Sequence, residues 1–127
     1  MKNNNKFYIC EHCGNIINKV NDSGVPVVCC GQKMKEIVPG TVEASREKHI
    51  PVVTVEGDVV KVIVGAVNHP MAEEHSILWV QLETDKGSQR KYLDVGEAPE
   101  VAFTLNGEKA VAVYAYCNLH GLWKAEV

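Results

Sequence analysis

Four cysteines within the first 38 residues constrain the fold of this 127-residue chain more than any other feature. They are Cys10, Cys13, Cys29 and Cys30. Little else in this segment could form a hydrophobic core, so packing alone cannot stabilise it. The chain has five cysteines, an odd number, and the spacing of these four is typical of metal ligands rather than of disulfides. Residues 1–38 are therefore predicted to form a small unit whose stability depends on a bound metal ion.

The first cysteine pair belongs to the knuckle Cys10-Glu11-His12-Cys13-Gly14, in which both thiolates can face one ion and the glycine permits a tight bend. Four thiolates suit zinc or a single iron. The knuckle alone favours a zinc ribbon, whereas the adjacent pair Cys29-Cys30 favours iron, because zinc ribbons usually carry a second Cys-x-x-Cys. His12 is interpreted as an exposed bystander, since four sulfurs already complete a tetrahedral shell.

A β-hairpin is predicted between the two cysteine pairs. Segments 16–20 and 25–28 are apolar and flank Asn21-Asp22-Ser23-Gly24, which are turn-forming residues. In this prediction, the metal closes the open end of the hairpin.

Beyond Pro39-Gly40, short β-branched runs alternate with glycine, asparagine and aspartate. Strands are predicted at 50–56, 59–67, 77–84, 89–95, 100–105, 109–117 and 122–127. At most one helical turn is expected, within 42–48. Seven short strands in residues 39–127 are typical of an immunoglobulin-like antiparallel β-sandwich, so the predicted fold class is all-β throughout.

The second segment also carries four histidines and the fifth cysteine, in three local contexts. These are Glu47-Lys48-His49-Ile50-Pro51, His69-Pro70-Met71-Ala72-Glu73-Glu74-His75 and Cys117-Asn118-Leu119-His120-Gly121. Each lies where a predicted strand starts or stops, so all three are assigned to loops that could converge at one edge of a sandwich.

Each of these residues alone is explained as a solvated surface histidine or a small buried cysteine. Their joint occurrence favours a metal site, because imidazole and thiolate together suit iron, copper or zinc. Five protein ligands on an otherwise octahedral iron leave one position free for a small molecule. An open position distinguishes a reactive metal site from a structural one.

In these motifs the sequence resembles the desulfoferrodoxins, the two-iron superoxide reductases, over essentially its whole length. The resemblance rests on the four-cysteine pattern, on Glu47-Lys48-His49-x-Pro51, on His69-Pro70-Met71 with His75, and on Cys117-Asn118-Leu119-His120-Gly121-Leu122-Trp123-Lys124. Leu122 stands where many members of that family have a histidine, a departure that affects no ligand.

The resemblance implies two iron ions per chain. Cys10, Cys13, Cys29 and Cys30 would hold a tetrahedral, rubredoxin-like iron; His49, His69, His75 and His120 would be the equatorial ligands, and Cys117 the axial ligand, of a square-pyramidal iron. Glu47 would take the sixth position after oxidation, and Lys48 would be the cation beside the open face. Backbone N–H groups of Asn118 and Leu119 would hydrogen-bond the Cys117 sulfur.

The activity implied is the one-electron reduction of superoxide to hydrogen peroxide, with electrons from rubredoxin or a similar small carrier, in a homodimer. A net charge of −3 with interspersed signs indicates no nucleic-acid or membrane surface, so a local field must attract the anionic substrate. The polar start, Met1 to Lys6, is typical of a cytoplasmic protein. From the residues alone, two other classes stay open: a zinc-stabilised binding module and an electron carrier of rubredoxin type.

Overall fold

A computed structural model describes residues 5–127, so the first four residues of the polar start lie outside the described residues. The chain divides into two compact units, one ending at Val38 and the other spanning Pro39–Val127. We refer to them as the cysteine unit and the sandwich unit. Within residues 5–127, no helix has both the length and the apolar character needed to span a membrane.

From residue 5 onwards, the cysteine unit contains five very short strands: β1 (Phe7–Ile9), β2 (Ile16–Asn18), β3 (Val28–Cys29), β4 (Gln32–Lys33) and β5 (Lys35–Ile37). β1 lies between β2 and β5 in an antiparallel sheet, in which Phe7 is opposite both Asn18 and Ile37. β3 and β4 form a separate hairpin, with Val28 opposite Lys33.

The predicted pairing of segments 16–20 and 25–28 is wrong, because β2 pairs with β1 and β3 pairs with β4. The turn chemistry at 21–24 exists, but it acts locally. Asp22 Oδ1 accepts hydrogen bonds from the Gly24 N–H at 2.8 Å and from the Lys19 ammonium at 3.1 Å. A turn signal specifies only its own neighbours, whereas β1 is a more distant partner that pairs with β2 along all three of its residues.

The first element of the sandwich unit is one helical turn, α1 (Arg46–His49). It lies within the predicted range 42–48 except for its last residue, His49. Seven strands follow: β6 (Pro51–Glu56), β7 (Val59–Val64), β8 (Ile77–Thr84), β9 (Ser88–Tyr92), β10 (Glu100–Thr104), β11 (Ala110–Cys117) and β12 (Gly121–Glu126). They form two antiparallel sheets of order β10-β7-β6 and β12-β11-β8-β9. The predicted all-β fold class, with its seven-stranded sandwich, is confirmed.

The core of the sandwich unit comes from alternate residues of its strands, as expected where every second side chain points to the same face. Its fully buried members include Val60, Val62, Val64, Val80, Leu82, Phe103, Val113, Ala115 and Cys117. Each buried valine, leucine or phenylalanine contributes roughly 1.5–3 kcal/mol. This unit is therefore stabilised by packing, and Cys117 belongs to its apolar interior.

The strand register brings the three histidine and cysteine loops to one end of the sandwich. Pro51, just after His49, is opposite Val64, from which the chain leads to His69. Cys117, the last residue of β11, is opposite both Ile77, which follows His75, and Gly121, which follows His120.

Candidate metal centres

The four sulfurs of the cysteine unit, here called the cysteine cluster, all lie within 4.8 Å of one another. Cys13 Sγ and Cys29 Sγ are 3.6 Å apart, and the backbone N–H of Cys13 donates to Cys10 Sγ over 3.5 Å. Cys10 is buried, whereas Cys13 and Cys30 are exposed. His12 is exposed and does not belong to this donor group.

The adjacent pair Cys29-Cys30 needs an unusual backbone, since consecutive residues of a strand point to opposite sides. Cys30 has φ 52°, and it is the only residue other than glycine with positive φ in the described part of the chain. This left-handed conformation lets both sulfurs belong to one donor group. Such a conformation costs a non-glycine residue about 1–3 kcal/mol, as is typical of functional sites.

The thiols of the cysteine cluster have divergent acidities. The backbone N–H of Cys13 lowers the pKa of Cys10 to about 6, whereas a hydrogen bond with the Cys13 side chain raises the pKa of Cys30 to about 12. Without a cation, the surroundings therefore favour the thiolate at Cys10 and the neutral thiol at Cys30. A bound metal ion favours the thiolate form of its ligands, because it compensates their negative charge.

The second donor group combines His49, His69, His75 and Cys117, whose ligand atoms also lie within 4.8 Å of one another. His120 adjoins it, with Nδ1 3.1 Å from His49 Nε2 and 4.0 Å from Cys117 Sγ. The structure thus brings together all five residues that the sequence assigned to this site.

The four imidazoles are arranged as a square. Neighbouring ring centroids are 4.6 Å apart for His49 with His69 and for His69 with His75. They are 5.0 Å apart for His75 with His120 and 4.9 Å for His120 with His49. The diagonal from His49 to His75 is longer, at 6.3 Å. We call this arrangement the imidazole square.

Backbone carbonyls orient two of the imidazoles. Nδ1 of His49 donates to the Ser45 carbonyl at 2.6 Å, and Nδ1 of His69 donates to the Pro70 carbonyl at 2.7 Å. The Nε2 lone pairs of both rings are therefore free, and the two Nε2 atoms are 3.1 Å apart. Nε2 of His75 is buried without a hydrogen-bond partner. Buried nitrogens with unused lone pairs at such short separations fit a metal cation.

Burial keeps these imidazoles in the neutral form that binds metals. It lowers the pKa of His49 and His75, and it lowers the pKa of His69 to about 4. Burial raises the pKa of the Cys117 thiol, which the backbone N–H groups of His120 and Leu119 partly counteract. The prediction of an Asn118 N–H at the sulfur is wrong, since that N–H donates to the Ser76 carbonyl at 3.2 Å.

Trp123 supports the imidazole square from the interior. Its ring stacks on His49 with centroids 5.0 Å apart, and its Nε1–H donates to the His120 carbonyl at 3.0 Å. Trp123 is only 2% exposed. The sequence does not reveal this contact of Trp123 with His49.

Glu47 and Lys48 lie in α1 directly before His49, and both are exposed. Burial is the main cause that lowers the pKa of His49 and of His75. The charge of Lys48 lowers both pKa values further, by a smaller amount. The ammonium of Lys48 therefore acts electrostatically on the imidazole square. The Glu47 carboxylate is not part of either donor group.

Gly65 allows the segment that leads to His69 to lie close to the backbone of α1. The sequence does not indicate this role. Gly65 has φ +90°, and a Cβ at this position would lie within 2.7 Å of the carbonyl oxygens of Glu47, Lys48 and Val67. The Val67 N–H also donates to the Glu47 carbonyl at 3.1 Å. No larger residue fits this approach, and the positive φ explains why β7 ends at Val64 rather than at residue 67 as predicted.

Comparison with known proteins gives matches over both units. The desulfoferrodoxin family matches residues 41–126, and the N-terminal domain of desulfoferrodoxin matches residues 2–37. The desulfoferrodoxin of Nitratidesulfovibrio vulgaris, strain Hildenborough, is 46% identical over 126 residues, which are 99% of each chain.

Solved structures match as well. The superoxide reductase from Treponema pallidum has a TM-score of 0.82 and 39% identity, covering 99% of this chain and 100% of that one. The superoxide reductase (1Fe-SOR) from Giardia intestinalis has a TM-score of 0.55 and 29% identity, covering 64% of this chain and 97% of that one.

Proposed function

The chain belongs to the desulfoferrodoxin family, and from that premise we propose that it reduces superoxide to hydrogen peroxide. The observation that carries the proposal is the imidazole square beside the buried Cys117 thiol. Iron bound there supplies the single electron and a coordination position for superoxide. The similar proteins of known structure from Treponema and Giardia are named superoxide reductases, which supports the same activity here.

Two sets of side chains hold the two irons of this family. The cysteine cluster would hold one, and the imidazole square with Cys117 would hold the other. Four neutral imidazoles add no charge and one thiolate subtracts one, so this donor set leaves a ferrous ion with a net positive charge. That residual charge favours an anionic substrate even though the whole chain carries −3.

Lys48 attracts superoxide to the site. Its ammonium is exposed. Burial and the charge of His120 are the larger causes that lower the pKa of His75, and the charge of Lys48 lowers it further. A local field of this kind raises association rates by roughly 10- to 1,000-fold. Glu47, also exposed, would supply a carboxylate ligand to the oxidised iron.

Cys117 would hold the iron from the side of the hydrophobic core. The thiol is fully buried, and the N–H groups of Leu119 and His120 hydrogen-bond its sulfur and hold it in place. Because apolar residues close that side, superoxide approaches from the side of the exposed residues Glu47 and Lys48.

We extend the proposal to the partners of the chain. A small carrier such as rubredoxin supplies the electron, because each turnover consumes one. The chain acts in the cytoplasm, a reducing compartment that suits its five free cysteines. It forms a homodimer, since Val20, Val25 and Val28 of the small cysteine unit are 92%, 67% and 62% exposed and a second copy can bury such residues.

Metal analysis and product stoichiometry test the proposed function together. Purified protein, reduced under anaerobic conditions, should contain two irons per chain and form one hydrogen peroxide for each superoxide consumed. Dismutation forms only one peroxide for every two superoxides. That lower yield, or zinc at both sites, would contradict the proposal.

A further inference from the structure

We propose that Asn118 is a positioning residue that fixes His75 relative to Cys117, an inference that rests on the proposed iron site. Its side chain bridges the two residues that flank His75. Oδ1 accepts a hydrogen bond from the Ser76 N–H at 3.0 Å, and Nδ2 donates to the Glu74 carbonyl at 3.0 Å. Asn118 follows Cys117 directly in the chain, so one side chain joins the two ligand loops.

These bonds act at the place where the regular strand pairing between β8 and β11 becomes irregular. The register shifts between Tyr116, which is opposite Trp79, and Cys117, which is opposite Ile77. Beyond that shift, the Asn118 N–H donates to the Ser76 carbonyl at 3.2 Å. With its two side-chain bonds, Asn118 therefore continues the connection past the last paired residue.

His75 is held in a different way from the two buried imidazoles, His49 and His69. His49 and His69 are each oriented by a hydrogen bond from Nδ1 to a backbone carbonyl. Nε2 of His75 is buried without a hydrogen-bond partner, which leaves it free as a metal ligand. Its position is then set by the backbone of residues 74–76. Two backbone hydrogen bonds join His75 itself to Ala72, and Asn118 holds the residues on both sides of it.

Only an amide satisfies both side-chain contacts, because one partner is a donor and the other is an acceptor. Aspartate has almost the same shape and still accepts from the Ser76 N–H. It cannot donate to the Glu74 carbonyl, which would then face a negatively charged oxygen. Asn118→Asp therefore breaks one bond with little change in volume, and Asn118→Ala breaks both.

The test is iron retention in the full-length, iron-loaded protein. Wild type, Asn118→Asp and Asn118→Ala are mixed with an excess of a chelator, and iron loss from each site is followed by its own absorption band. We expect Asn118→Asp to lose iron from the histidine site roughly 10- to 100-fold faster, the usual effect of removing a group that orients a ligand. We also expect a shifted thiolate-to-iron absorption band and an altered electron paramagnetic resonance signal.

Two internal references separate positioning from general damage. Iron in the cysteine cluster should leave at the wild-type rate in every variant. Asn106→Asp makes the same chemical change at an exposed residue between β10 and β11, and it should match the wild type. If Asn118→Ala fails to fold, Asn118→Asp decides the outcome, because it keeps the side-chain shape.

The proposal is overturned if Asn118→Asp retains iron and both spectra unchanged, or if it loses iron equally fast from both sites. None of these measurements uses superoxide. A wild-type protein that binds both irons but does not reduce superoxide would contradict the proposed function and leave the result on Asn118 intact.

Discussion

The two donor groups of this chain are built in opposite ways. In the cysteine unit, the ligands lie in turns or at the end of strands of two or three residues, and two of the four cysteines are exposed. In the sandwich unit, the ligands lie at the ends of longer strands around a buried apolar core, and His49, His69 and Cys117 are all buried. We therefore expect a bound metal to stabilise the first unit, whereas the apolar core of the second holds its donor group in place.

This difference explains why the two sites suit different chemistry. A reactive site needs ligands that stay in place while one coordination position stays open. The imidazole square has this support from Trp123 and from two backbone carbonyls. The cysteine cluster offers four sulfurs for one closed shell, which is suited to structural support or electron transfer.

Removing the metal from the cysteine cluster should have the largest effect, and it should affect the stability of the two units differently. We expect Cys30→Ser to unfold the cysteine unit, because structural metal binding contributes on the order of 10 kcal/mol in small metal-dependent domains. The sandwich unit should stay folded. Hydrogen exchange measured on peptides from each unit checks both expectations, and persistent protection of β1 in the variant would contradict the first.

Lys48→Ile should slow superoxide association by about tenfold or more and reduce its dependence on salt, because the attracting charge is removed. Pulse radiolysis at several ionic strengths measures this rate. Lys86→Ile is the matched control, since Lys86 is an exposed lysine in the turn after β8, away from the His75 end of that strand. Equal rates in the two variants would show that the position of the charge is unimportant.

Gly65→Ala should destabilise the sandwich unit by about 1–3 kcal/mol, since it adds backbone strain and forces the carbonyls of Glu47 and Lys48 away. Gly57→Ala separates the two causes. Gly57 also has positive φ, at +61°, but a Cβ there meets nothing within 4 Å. Denaturant unfolding should show the smaller loss for Gly57→Ala, and only Gly65→Ala should slow the reaction with superoxide. Identical losses would indicate strain alone.

Glu47→Ala should have the smallest effect on stability, within about 0.5 kcal/mol, because Glu47 is an exposed residue. The absorption band of the oxidised histidine site should nevertheless shift, since the carboxylate no longer reaches the sixth position. Glu43→Ala, at an exposed residue four positions earlier and outside α1, should leave the band unchanged. An unshifted band in Glu47→Ala would remove that role from the carboxylate.

Features that depend only on neighbouring residues in the chain could be predicted from the sequence. The Cys-x-x-Cys knuckle, the histidine contexts and the alternation along β7 each contain their own signal within a few residues. Pairings between distant residues could not be predicted. The neighbours of β1, the contact of Trp123 with His49 and the bonds of Asn118 to residues 74 and 76 all depend on the strand register. For the same reason, Gly65 has no recognisable motif although its close approach is clear in three dimensions.

Position 30 combines two demands that no single amino acid satisfies well. The left-handed backbone there favours glycine, whereas the donor group requires a thiol. A substitution that relaxed the backbone would remove a ligand, so the empty cysteine unit cannot be made more rigid at this point. We therefore expect proteases to cleave the cysteine unit before the sandwich unit in chains made under iron starvation.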